Sequence, residues 1–66
     1  MAEYKNKIKY FRELKNMTQQ ELAERLGTNA RNVRRWENGE SIPDIVIGIK
    51  ISSILGVKLE KIFTFD

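Results

Sequence analysis

Apolar side chains recur every three or four positions along much of this chain, and short polar breaks cut the pattern into segments. Tyr4, Ile8, Phe11 and Leu14, with lysines between them, predict an amphipathic first helix over Glu3 to Lys15. After Asn16-Met17, Leu22, Ala23 and Leu26 give the apolar face of a second helix, Thr18 to Leu26. Val33 and Trp36, three apart, give that of a third, from about Ala30 to Glu37. The stretch IVIGIKISSILG, residues 45–56, holds five isoleucines and a valine and would also suit a strand. Its length, a cap at one end and a glycine at the other favour a fourth helix. Leu59, Ile62 and Phe63 predict a short fifth helix from Val57 to Phe63, and Thr64-Phe65-Asp66 is left unassigned. No repeat, low-complexity tract or second domain is visible. The expectation is an all-α, five-helix single domain over residues 1–66, with its core from about residue 4 to 63.

The breaks carry their own chemistry. Thr18 and Glu21 fit a capping box, in which the hydroxyl accepts from a free backbone N–H and the glutamate reaches back. Gly27 suits a left-handed helix end, and Asn29 and Asp44 are good caps for the third and fourth helices. Asn38-Gly39 stops the third helix, and Ser41-Ile42-Pro43 forms a short loop.

Composition narrows the function by exclusion. The 66 residues contain no cysteine and no histidine, so disulfides are excluded, zinc is not expected, and no metal or cofactor is called for. There is no carboxylate pair at catalytic spacing and no phosphate-cradling glycine loop, so an enzyme is not expected. No apolar stretch reaches membrane-spanning length and no signal-peptide pattern opens the chain, so a cytoplasmic address without membrane contact is expected. Charge is informative by location. Residues 1–37 hold nine Lys/Arg against five Asp/Glu, whereas residues 38–66 hold three against four. The positive half is the one carrying Arg31, Arg34 and Arg35, which suits a polyanion.

Two short helices joined through Gly27-Thr28-Asn29 form a helix-turn-helix, whose second helix can enter the DNA major groove. Leu22, Ala23, Leu26, Val33 and Trp36 would lock the pair together, leaving the outer face of the third helix free. T-Q-x-E-L-A-x-x-L-G, an eight-residue gap and W-E-N-G closely resemble the phage-repressor type of helix-turn-helix shared by Cro-like and Xre-like regulators. The resemblance runs from about Ile8 to Phe63 and implies a lambda-repressor-like fold. It implies base-reading side chains at Asn29, Ala30, Arg31, Asn32 and Arg35. It also implies phosphate contacts at Gln19 and around Asn38-Gly39, with Lys15 and Arg34 as further phosphate candidates. Arginine can bond guanine O6 and N7, and asparagine adenine N6 and N7, while Ala30 can offer an apolar contact. The resemblance further implies a structural ion pair between Arg12 and Glu37. Two positions depart from the family pattern: Gly48 replaces a large aliphatic residue, and Lys58 stands where a capping serine is common.

Several residues have plainer readings. Trp36 reads as core rather than as a platform for stacking bases, and Arg25 and Arg34 as solvated charges. Asn29 serves first as a cap, and Asn32 could equally be solvated. In the fourth helix Ile45, Gly48, Ile49, Ser52 and Leu55 cover one side, while Ile47, Ile51 and Ile54 widen the apolar arc beyond the stripe of a lone surface helix. Either the fifth helix and tail cover the excess, or a second subunit does. The expected function is a sequence-specific regulator of transcription that binds double-stranded DNA, a repressor acting by occupancy, working as a homodimer on an inverted-repeat operator. An antitoxin or controller-type autoregulator is an alternative within that class, and a protein-interaction module is one outside it.

Overall fold

A computed structural model describes residues 4–65 of the chain. In order, the elements are β1 (Tyr4–Asn6), α1 (Ile8–Leu14), α2 (Gln19–Leu26), α3 (Ala30–Glu37), α4 (Ile45–Leu55), α5 (Leu59–Ile62) and β2 (Phe63–Phe65). Five helices form as the periodicity predicts, and a small two-stranded sheet is added to them.

The sheet corrects the reading of both ends. β1 pairs antiparallel with β2 in the register Tyr4↔Phe65, Lys5↔Thr64 and Asn6↔Phe63, and the Lys7 N–H continues the ladder to the Ile62 carbonyl at 2.7 Å. The first helix therefore begins at Ile8, and Tyr4 belongs to a strand; Glu3 lies outside the described residues. The ring of Tyr4 stacks on Phe63 with centroids 6.4 Å apart and meets the edge of Phe65 at 6.3 Å. Such cross-strand aromatic contacts hold so short a ladder in place. Phe63 leaves the fifth helix for β2, and the unassigned Thr64 and Phe65 follow it; Asp66 lies outside the described residues.

Ile8, Leu22, Ala23, Leu26, Val33, Trp36, Ile51, Leu55 and Ile62 form the buried core, with Phe11, Met17, Ile47, Ile54, Val57 and Phe63 packed against it. Burying a Leu or Ile side chain fully contributes about 1.5–3 kcal/mol, so this set is the main source of cohesion. Leu14 is not part of it. It is 62% exposed, while the buried face of α1 is completed by Arg12.

The fourth segment is a helix, with the Asp44 carboxylate accepting from the Ile47 N–H at 2.8 Å and Gly56 left-handed at φ 67°. Its wide apolar arc divides in two. Gly48, Ile51 and Leu55 are buried and Ile47 and Ile54 half-buried, whereas Ile45, Val46 and Ile49 remain exposed. The volume missing at Gly48 is partly taken by α5 and β2. A Cβ there would lie 3.7 Å from Phe63 Cε2 and 3.9 Å from Leu59 Cδ1. Lys58 provides no side-chain cap to α5, and the turn before it is held by the Ser52 hydroxyl, which donates to the Val57 carbonyl at 2.6 Å. Among the described residues no helix is long and apolar enough to cross a membrane.

Candidate nucleic-acid interface

The approach to α3 is fixed by short-range chemistry. Thr18 Oγ1 accepts from the Glu21 N–H at 3.0 Å, and Glu21 Oε1 accepts from the Thr18 N–H at 2.8 Å, which closes the capping box. That backbone bond, with the Thr18 side chain and Arg25, holds the exposed Glu21 carboxyl below the usual carboxylate range. Gly27 ends α2 at φ 76°, a backbone that a Cβ would strain. The Thr28 N–H donates back to the Ala23 carbonyl at 2.9 Å, and Ala23 is fully buried, so the two helices of the motif cross closely.

Asn29 then caps α3, its Oδ1 accepting from the Asn32 N–H at 2.9 Å, while Asn32 Nδ2 donates to Thr28 Oγ1 at 2.8 Å. Both asparagines thus have work inside the turn. Asn29 is nonetheless exposed, and Asn32 and Ala30 are half-buried. Val33 and Trp36 face the core, and Arg31, Arg34 and Arg35 are all exposed. This separation of faces gives α3 a cationic outer surface with an apolar anchor behind it.

Glu37, the last residue of α3, is tied to both preceding helices. Arg12 Nε donates to Glu37 Oε2 at 2.7 Å and Arg12 Nη2 to Oε1 at 3.3 Å, with side chains 8% and 2% exposed. Arg12 Nη1 donates to the Met17 carbonyl at 2.6 Å, and Gln19 Nε2 donates to Glu37 Oε1 at 3.0 Å. A planar guanidinium meets a carboxylate with two parallel bonds and still has donors left for a carbonyl, which an ammonium cannot match in geometry. The carboxylate therefore clamps α1, α2 and α3 at one point.

The end of α3 is also fully engaged through its backbone. The Asn38, Gly39 and Glu40 N–H groups donate to the Arg34, Trp36 and Arg35 carbonyls at 2.9, 3.1 and 2.9 Å, and Gly39 has φ 76°. Asn38 Nδ2 donates to Glu40 Oε2 at 3.3 Å. Lys15 sits elsewhere: its ammonium comes within 3.9 Å of the Cβ position at Gly56, beside the C-terminal end of α4. Partial negative charge at a helix C-terminus favours a cation there.

Asn6 is the structural residue that sequence reasoning passed over. Its Nδ2 donates to the Trp36 carbonyl at 2.9 Å, and its Oδ1 accepts from the Ile8 N–H at 3.2 Å. One side chain of β1 therefore starts α1 and holds the last turn of α3. The helical periodicity running through Tyr4 hid it, since the strand that presents it needs a partner more than 50 residues away.

Two helices joined by a tight left-handed turn, the second pinned at both ends with its basic face outward, define a helix-turn-helix domain. The family model described as helix-turn-helix matches residues 8–62. An uncharacterised helix-turn-helix-type transcriptional regulator of Methanocaldococcus jannaschii is 40% identical over 62 residues, 94% of either chain. A second such regulator, from Archaeoglobus fulgidus, is 39% identical, covering 94% of this chain and 87% of its own. A crystal structure of a candidate DNA-binding protein from Bacteroides fragilis superposes with a TM-score of 0.86 at 26% identity, covering 94% of this chain and all of its own. The chain belongs to the Cro/Xre-like helix-turn-helix family of transcriptional regulators, which are DNA-binding proteins and not enzymes.

Proposed function

We propose that this chain recognises a specific operator in double-stranded DNA by laying α3 in the major groove, and that it represses transcription by occupying that site. The carrying observation is the exposure of Arg31, Arg34 and Arg35 on a helix whose other face is buried. Rigid placement matters because side chains must reach base edges in one register. In this reading Asn29, Ala30, Arg31, Asn32 and Arg35 face bases, and Arg34 faces the backbone. Arg31 lies in the first turn of α3, where it is best placed to bond guanine O6 and N7. Asn32 keeps its carbonyl oxygen and a second amide hydrogen beyond its bond to Thr28.

Gln19 would hold a phosphate at the start of α2. One amide hydrogen is engaged by Glu37, and the other, with the first backbone N–H groups of the helix, remains for an anion. At the far corner the backbone N–H groups of Asn38 and Gly39 are committed within the helix end, so a phosphate contact falls to the Asn38 amide. Lys15 serves the backbone only if its side chain swings away from α4.

Recognition by a homodimer would match a two-fold operator. Selection of bound sequences from a random DNA pool tests the reading: an inverted repeat is expected, with half-site centres about 34–36 Å apart. An asymmetric site held by one chain would remove the dimer. A pool that shows no enrichment would remove sequence-specific binding altogether.

A further inference from the structure

Between α1 and the turn that leads from α4 into α5 lies a cleft of about 390 Å³, lined by Phe11, Gly56, Val57, Lys58 and Lys61. It has room for roughly a dozen non-hydrogen atoms, at the ~30 Å³ that each molecule of liquid water takes up. Phe11 and Val57 are half-buried and packed against the core, so they give the cleft a fixed apolar floor. Lys58 and Lys61 are exposed, and the Lys61 N–H donates to the Lys58 carbonyl at 2.9 Å, which sets the two side chains one turn apart along one wall. Lys15 comes from the α1 side, its Nζ 3.9 Å from the Cβ position at Gly56. Among the described residues none of these three lysines has an ion-pair partner, and no carboxylate lines the cleft. Like charges gathered round one apolar floor repel each other and gain nothing from within the chain.

We propose that this cleft binds a small organic anion, a carboxylate that carries an aromatic or branched apolar body. Phe11 and Val57 cover the body, and Lys58 and Lys61 hold the charge. Lys15 stands at the C-terminal end of α4, where it offsets the partial negative charge of the helix and keeps that charge from repelling the ligand. The pairing of floor and rim decides the ligand class. A DNA phosphate brings charge without apolar surface and would leave Phe11 and Val57 uncovered. A neutral apolar molecule would draw water away from two ammonium groups and give them no counter-charge. An apolar lining with a few convergent polar groups is the usual make-up of a small-molecule site, and the volume falls at the lower end of the ~300–1,000 Å³ such sites span. Neither Lys58 nor Lys61 takes part in the proposed DNA contact, so the inference stands apart from it.

The test uses the full chain without DNA, titrated with 3-phenylpropionate while the backbone amides are followed by NMR. Saturable shifts are expected at Phe11, Gly56, Val57, Lys58 and Lys61, with a dissociation constant on the order of 1 mM for a ligand of this size. Two controls divide the contributions in the native chain. Acetate keeps the charge without the body, 3-phenylpropionamide keeps the body without the charge, and each should bind at least about fivefold more weakly. Raising the salt from about 20 to about 300 mM should weaken 3-phenylpropionate severalfold, since the ammonium groups are exposed. Lys58→Gln combined with Lys61→Gln should lose at least about fivefold in affinity and most of that salt dependence, and the exposure of both positions should leave the fold intact in a thermal melt. Lys50→Gln, an exposed lysine on α4 that does not line the cleft, should bind as the native chain does. No saturation by about 10 mM, or shifts spread evenly over all the lysines, overturns the proposal. So does acetate or the amide binding as tightly as the acid, or full affinity in the double variant. Operator selection reads none of these residues, so its failure would leave this site standing, and a failure here would leave the DNA reading standing.

Discussion

Arg31 and Gln19 stand in the first turns of neighbouring helices, yet their surroundings differ, and the proposed DNA contact gives them different work. Arg31 is exposed, and its guanidinium is expected to read a base edge; Gln19 is half-buried against Glu37 and is expected to orient the duplex without reading it. Arg31→Ala should cost about 1–3 kcal/mol on the preferred site and relax the choice at one base pair per half-site. Gln19→Ala should weaken all related sites alike. Binding to a panel of single-base operator variants separates the two, and an even loss across the panel for Arg31→Ala would make it a phosphate contact. Arg12 and Glu37 make a second prediction at this scale. Removing either leaves a charge buried without its partner, at a cost of about 3–5 kcal/mol, most of the stability of so small a domain. Thermal melts of Arg12→Ala, Glu37→Ala and the double variant measure the coupling; single losses below about 1 kcal/mol would contradict the clamp. The pairing of Arg12 with Glu37 was reachable from the sequence through the family resemblance. That Gln19 also bonds Glu37, and that Asn32 bonds Thr28, were not, because hydrogen-bonding partners depend on rotamers that no spacing encodes.

At the level of elements, the legible features were those decided within a few residues. Thr18 with Glu21, Gly27, Asn29, Asp44 and Gly56 all mark helix ends where the sequence places them. What misled was the stretch around α1. Tyr4 shares helical spacing with Ile8 and Phe11, so its strand was invisible, and Leu14 turned outward while the charged Arg12 turned in. The capping box also makes stability depend on pH. The Glu21 carboxyl ionises below its ordinary value of 4.5, chiefly through the Thr18 N–H bond, so its contribution is complete above 4.5 and is lost as pH falls through the lowered folded value. Glu21→Gln keeps an acceptor for Thr18 but cannot titrate, so its melting temperature should fall less steeply with acid than that of the native chain. Gly48 gives a prediction of opposite sign. A Cβ there meets Phe63 and Leu59 at ordinary contact distance, and glycine within a helix costs about 0.5–1 kcal/mol relative to alanine. Gly48→Ala should therefore raise the melting temperature by a few degrees. A fall would mean that Phe63 and Leu59 cannot give way to the added methyl.

For the molecule as a whole, the short sheet does more than tidy the ends. Tyr4 and Phe65 face each other across β1 and β2, so the backbone over the described residues 4–65 is close to a ring. A ring has no privileged opening. Joining residue 4 to residue 65 through a few glycines and cutting instead in the loop at Glu40-Ser41 should leave every helix whole, since that loop lies outside the helices that flank it. Such a permuted chain is expected to fold with native circular dichroism and to melt cooperatively. In the native order the same closure brings together residues some 60 positions apart, a costly loop to form before other contacts offset it. The strands should thus be the last elements to lock when the chain folds and the first to open when it is heated. Through Asn6 and the Trp36 carbonyl, the end of α3 would register that opening before the core does.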